Sequence, residues 1–143
     1  MVKYTQRYFE KEVLEGSPIE HIILLYGKAI NCLKQVKRTM EEGVNTPELV
    51  KSKAENLTRV VDILVYLEAI LDMEKGGEIA KNLKEIYDLL IDELIKVNFT
   101  NELKPVEDAI EILENLRKAW MDIKPTIIPH SKEAPAQLLR ATP

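Results

Sequence analysis

Proline divides this chain. It stands at Pro18, Pro47 and Pro105, then crowds the end at Pro125, Pro129 and Pro135. Proline lacks a backbone N–H and has a fixed φ, so a helix tolerates it in the first turn and not in the interior. The long intervals between these prolines are therefore free to be helical, and the end of the chain is not.

The intervals carry helical periodicity. Ser17-Pro18-Ile19-Glu20 reads as a capping box with proline at the first helical position. After it, Ile22, Tyr26, Ala29, Leu33, Val36 and Met40 recur at spacings of three and four until Gly43. Thr46-Pro47 opens a second helix, with Glu48 in its first turn. Its stripe is Val50, Ala54, Leu57, Val61, Leu64, then Leu67 or Glu68, then Leu71, before the Gly76-Gly77 break. A third helix is expected from about Glu78 to Val97, with Ile79, Leu83, Ile86, Leu90, Leu94 and Val97 on one face. Asn98 to Asn101 reads as a link. A fourth runs from about Glu102 to Ile123 on Val106, Ala109, Leu113, Leu116, Trp120 and Ile123, with Pro105 in its first turn or at its true start.

Short connections between long helices force antiparallel neighbours. The reading is all-α: an antiparallel up-down four-helix bundle over 17–123, an N-terminal tail over 1–16 and a proline-containing tail over 124–143. At 143 residues the chain has one domain's worth of core.

Composition excludes several functions. Net charge is −4, from 20 Lys and Arg against 24 Asp and Glu, so no nucleic-acid partner is expected. Cys32 is the only cysteine, so neither an internal disulfide nor a cysteine zinc site can form. No uncharged apolar run could span a bilayer, and MVKYTQRYFEKEV lacks the apolar core of a signal peptide. A cytoplasmic protein without membrane insertion is expected.

Chemistry is equally sparse. A bundle di-metal site needs Glu-x-x-His motifs, and neither His21 nor His130 has a glutamate three residues before it. His21 reads as a first-turn residue on a partly exposed face, and Cys32 as a small buried hydrophobe. Gly76-Gly77 lacks the Lys-Ser/Thr of a phosphate loop. Asp92–Lys96 and Glu114–Lys118 read as i,i+4 pairs on a solvated face. No catalytic, cofactor or metal residue is assigned, and no enzyme is expected.

Apolar surface is in surplus. Ile19, Ile23 and Ile30 lie beside the first stripe, Val60, Ile63, Leu67 and Ile70 form a second row on helix two, Tyr87, Ile91 and Ile95 add to helix three, and Ile112 to helix four. A bundle helix needs an apolar face of about 100° or a little more. A wider one is either over-wide core packing or covered by something: a second copy, a tail, or an incoming helix laid in a groove. Tyr4, Tyr8 and Phe9 fall near helical spacing in the N-terminal tail, where aromatics can dock back or anchor a partner.

One segment is recognisable. Leu71-Asp72-Met73-Glu74-Lys75-Gly76-Gly77-Glu78-Ile79-Ala80-Lys81-Asn82-Leu83, followed by Ile86-Tyr87-Asp88, resembles the signature of the flagellin-export chaperones, the FliS family. Tyr4 ahead of Ser17-Pro18, Leu25-Tyr26 with Ala29-Ile30, and Leu116-Arg117 with Trp120 fall at the matching distances. The resemblance covers about 4–122. Where the family usually has Tyr-Asp-Gly-Ala, this chain has Tyr26-Gly27-Lys28-Ala29, so that turn is assigned no function.

The resemblance implies a cytoplasmic chaperone without ATPase activity. Its client would be the C-terminal segment of flagellin, disordered in the free subunit. It would prevent premature polymerisation and deliver the subunit to the membrane protein of the flagellar export gate. Residues expected to meet partners are Tyr4, Tyr8, Ile23, Val60, Ile63, Leu67, Ile70, Ile86, Tyr87, Leu90, Ile91 and Trp120, with Tyr4 and Tyr8 as a displaceable cap. The alternative is a self-associating bundle or adaptor with another helical client, and self-association is also open to a client-free chaperone.

Overall fold

The computed structural model describes residues 18–123 and residue 139. Four helices follow in order: α1 Pro18–Glu42, α2 Pro47–Ala69, α3 Gly77–Thr100 and α4 Lys104–Ile123. They are an all-α four-helix bundle, as the proline intervals require. Ser17 of the proposed capping box, the segment 1–16, and 124–143 apart from Leu139 lie outside the described residues.

Local chemistry sets the ends. Thr46 caps α2, its hydroxyl accepting from the Leu49 amide at 3.2 Å with Pro47 next in line. Gly43, at φ +94°, closes α1 with its amide on the Met40 carbonyl at 3.2 Å. The α2–α3 turn is held by Asp72, whose Oδ1 accepts from the amides of Glu74 and Lys75 at 3.1 and 2.9 Å. Gly77 supplies the positive φ of +59° that starts α3.

Two boundaries differ from expectation. α3 does not stop at Val97. It continues through Asn98 and Phe99 to Thr100, and Asn101, left-handed at φ 54°, is its C-cap. α4 starts at Lys104, which places Pro105 in the first turn, where its missing N–H costs no helix bond.

Cross-helix pairs give the directions. His21 meets Tyr66 edge to face at 6.4 Å between ring centroids, pairing the start of α1 with the end of α2. Lys53 meets Val97, pairing early α2 with late α3. Lys37 pairs with Glu107 at 3.3 Å, late α1 with early α4. Each adjacent pair is antiparallel. α1 packs against α2 and α4, α3 packs against α2, and the α3–α4 edge is the sparsest.

The core corrects the apolar assignment. Val60, Ile63 and Leu67 are not spare surface. They are buried with Leu57 and Leu64 as the inward face of α2. Ile19 and Ile30 are buried too. The positions that point out are Val50 at 52% exposure and Ile79 at 59%, both expected inside. His21 is buried rather than partly exposed, and Cys32 is half-buried beside the core. The ion pairs differ as well. Glu114 reaches Lys34 across helices at 3.6 Å, and Lys96 takes Glu93 at 3.7 Å. Leu139 is buried and makes an antiparallel bridge with Leu71.

Candidate functional site

Tyr26, Tyr87 and Trp120 come from three separate helices and meet in the core. Tyr26 is hydrogen-bonded to Tyr87, hydroxyl to hydroxyl, and accepts from Trp120 Nε1 at 3.2 Å. All three side chains are buried, so each polar atom must be satisfied inside the protein. Burial pushes the Tyr26 phenol up to about 12, partly offset by its bonds to Tyr87 and Trp120. Burial raises Tyr87 as well. Both phenols are neutral across the physiological range, so this centre ties α1, α3 and α4 together and performs no acid–base chemistry.

That centre explains part of the sequence signature. Three of the segments that carried the resemblance, around Tyr26, Tyr87 and Trp120, converge on one hydrogen-bonded cluster. Tyr87 and Trp120, expected to meet a partner, are packed inside the bundle with Val60, Ile63, Leu67 and Leu90. Ile23, Ile70, Ile86 and Ile91 are half-buried at its margin. Tyr4 and Tyr8 lie outside the described residues.

A second polar feature was not legible in the stripe pattern. Lys53 is buried, and its Nζ donates to the Val97 carbonyl at 2.9 Å and to Asn101 Oδ1. A cation from α2 thus satisfies the C-terminal end of α3, where the helix dipole favours positive charge. Burial pulls the Lys53 ammonium below its ordinary value. The signal available was its place in the sequence, four residues before the core residue Leu57.

The surface open to a partner lies beside α3. Ile91, Ile95 and Phe99 stand at successive i,i+4 positions, one row along the helix. Ile95 is 48% exposed and Phe99 83%. With Ile95 and Phe99, Leu57, Thr58 and Val61 of α2 complete a depression of about 260 Å³ that also takes in Leu94 and Asn98. Val65, 51% exposed, extends the α2 side. On the other flank of α3, Ile79 and Leu89 are exposed and Ile86 is half-buried, beside the sparse edge with α4. Ile95 was visible as excess apolar surface. Phe99 was missed because the helix was ended at Val97, and continuing the i,i+4 row by one step would have found it.

A charged cluster lies farther along the seam of α2 and α3. Glu68 of α2 and Lys84 and Asp88 of α3 meet there. Lys84 Nζ lies 2.8 Å from Asp88 Oδ2. Burial, together with the bond to and charge of neighbouring Asp88, raises the Glu68 carboxyl, whereas the bonds to Glu68 and Lys84 lower that of Asp88. Among the described residues no three His, Cys, Asp or Glu gather as a metal site, and no helix is long and apolar enough to cross a membrane.

Comparison with known proteins places this arrangement. The family model for flagellar protein FliS matches residues 1–127. The flagellar secretion chaperone FliS of Salmonella typhimurium is 36% identical over 123 residues, covering 85% of this chain and 87% of that protein. The flagellar secretion chaperone FliS of Vibrio cholerae is 34% identical over 122 residues, covering 85% and 86%. The flagellar secretion chaperone FliSB of Pseudomonas aeruginosa is 28% identical over 120 residues, covering 84% and 91%. A family match over most of the sequence, joined by relatives above 30% identity across most of both chains, has one consequence: this chain belongs to the FliS family of flagellar secretion chaperones.

Proposed function

We propose that this protein is a cytoplasmic chaperone of type III flagellar export. It holds the disordered C-terminal segment of flagellin, prevents premature polymerisation and aids delivery to the export gate. It acts by binding, without catalysis. The observation that carries the reading is the apolar groove beside α3, where Ile95 and Phe99 are exposed although the core of the bundle is complete without them. A segment that folds on binding pays about 2–5 kcal/mol for ordering and needs a large apolar seat to recover it. Flagellin's C-terminal segment is the client the family resemblance supplies. Client residues seated there would be withheld from contacts with other subunits, which is how binding opposes assembly.

The expected partner residues divide in this reading. Ile91 stands one turn before the groove lined by Ile95, Phe99, Leu57 and Val61, and Ile86 borders the other flank of α3. Val60, Ile63, Leu67, Leu90, Tyr87 and Trp120 act from beneath, by shaping the helices that form it. Ile23 and Ile70 sit at the margin, and Tyr4 and Tyr8 remain proposed as a displaceable cap and export-gate contact.

Isothermal titration with a synthetic flagellin C-terminal peptide, alongside circular dichroism of the mixture, tests the reading. Saturable 1:1 binding with a negative heat-capacity change and a gain in helix is expected. A full-length chain that stays silent, together with a folded variant lacking 1–16 that also stays silent, rejects flagellin as the client. A stable dimer that buries Phe99 and binds no peptide would favour the self-associating bundle instead.

A further inference from the structure

Gly27 stands in the body of α1, and the backbone does not require a glycine there. Among the described glycines the positive φ values fall at Gly43 and Gly77, and Gly27 is not one of them. A Cβ added at Gly27 would come no closer than 3.7 Å to Arg117 Nε, its nearest neighbour, an ordinary van der Waals distance. Glycine inside a helix is disfavoured against alanine by about 0.5–1 kcal/mol. What the missing side chain leaves is a notch of about 280 Å³ between α1 and α4, with Asn31, Lys34, Glu114, Arg117 and Lys118 around it.

The notch has unbalanced charge. Three cations face one anion. Lys34 and Glu114 are 3.6 Å apart and each is about half exposed, a weak pairing. Among the described residues Arg117 and Lys118 make no ion pair or side-chain hydrogen bond. Arg117 therefore offers its guanidinium toward the space where α1 has no side chain.

We propose that this notch receives the carboxylate of an aspartate or glutamate carried on a segment of a partner protein, with Arg117 as the principal ligand and Lys118 and Asn31 beside it. The planar fork of a guanidinium matches a carboxylate in a two-bond arrangement. Glu114 at the rim repels a doubly charged phosphate more than a singly charged carboxylate. Ile30 and Met121, the latter 44% exposed, give the notch an apolar wall for the carbon chain around the acid, which a small free anion would not use. The site lies on the α1–α4 edge, across the bundle from the groove between α2 and α3, so both can be occupied at once. It does not depend on flagellin being the client.

The test is a nuclear magnetic resonance titration of the full-length chain, reading the Gly27 amide and the Arg117 Nε–H. The probes are an end-capped peptide of alternating leucine and glutamate, its glutamine counterpart, and inorganic phosphate at matched ionic strength. The glutamate peptide is expected to give saturable shifts at both atoms, weakening with salt, and the glutamine peptide to bind at least about tenfold more weakly. Gly27→Asp places a carboxylate in the notch from within and is expected to abolish the response, whereas Gly27→Ala retains it. Arg117→Lys keeps the charge, loses the fork and weakens binding several-fold. Circular dichroism melts establish that each variant is folded. Absence of saturable shifts, equal response to both peptides, tighter binding of phosphate, or an undiminished response in folded Gly27→Asp each overturns the proposal.

Discussion

Tyr26→Phe deletes one oxygen from a dry site, and the hydrogen-bond pattern sets the cost. Tyr26 is the hub: Trp120 Nε1 donates to it at 3.2 Å and Tyr87 bonds it from α3. Removing the hub strands two buried polar groups, the Tyr87 hydroxyl and the Trp120 N–H. Each stranded group costs about 1–3 kcal/mol, so the expected loss is about 2–6 kcal/mol. Tyr87→Phe strands less, because Tyr26 still accepts from Trp120, and about 1–2 kcal/mol is expected. The double variant leaves only Trp120 unpaired. Its loss should fall short of the sum of the singles by about 2 kcal/mol or more, the signature of a shared network. Urea unfolding measures this. With a slope of about 2 kcal/mol per molar, Tyr26→Phe should lower the midpoint by about 1–3 M. A pH arm gives an independent check. Tyr26 is raised to about 12 in the folded protein against about 10 for a free phenol. Its contribution is fully present below pH 10 and is lost as pH rises toward 12, an effect on the order of 2–3 kcal/mol that Tyr26→Phe removes. Strict additivity of the two substitutions would refute the network, and an unchanged alkaline slope in Tyr26→Phe would refute the burial of its phenol.

Three further outcomes follow from particular contacts. Lys53→Ala leaves the Val97 carbonyl without the donor 2.9 Å away, and a loss of about 1–3 kcal/mol in urea unfolding is expected, with the exchange protection of late α3 falling first. Glu68→Gln removes a carboxyl whose folded value is raised, so the parent's stability from that group is present below about pH 4 and lost as pH climbs through the folded value. The glutamine variant should therefore gain at most about 0.5–1 kcal/mol at neutral pH, because the site is partly solvated, and the gain should vanish in acid. Gly27→Ala should raise the melting temperature by about 2–4 °C in a thermal scan, since the added methyl meets only an ordinary contact.

The architecture was legible because two independent signals agreed. Proline spacing set the intervals, and three-and-four spacing filled them, so the α1 stripe from Ile22 to Val36 is buried as read. The α2 face was harder. Val50, Ala54, Leu57 and Val61 form as regular a row as Leu57, Val60, Leu64 and Leu67, and periodicity cannot say which row meets the neighbours. The second row is the core, and the first is the flank along α3. The same ambiguity hid the site. Residues selected as spare apolar surface, such as Ile63 and Tyr87, are inside, whereas Phe99 was passed over as a link. A lysine in a stripe reads as solvated, and only the antiparallel register of α2 and α3 brings Lys53 to the end of α3. Signature residues also need separating by role: Tyr26, Tyr87 and Trp120 are recognisable because the bundle is joined through them.

The central claim is that the scaffold and the client seat are different residues. The most direct measurement compares two variants for affinity to the flagellin C-terminal peptide and for melting temperature. Ile95→Ser/Phe99→Ser alters side chains that are 48% and 83% exposed, and Tyr87→Phe alters the buried centre. The first variant should lose at least about tenfold in affinity, or 1.4 kcal/mol, with its melt nearly unchanged. The second should melt at a lower temperature and, while folded, bind as the parent does. Full affinity in the Ile95/Phe99 variant, with affinity lost in folded Tyr87→Phe, would contradict the account.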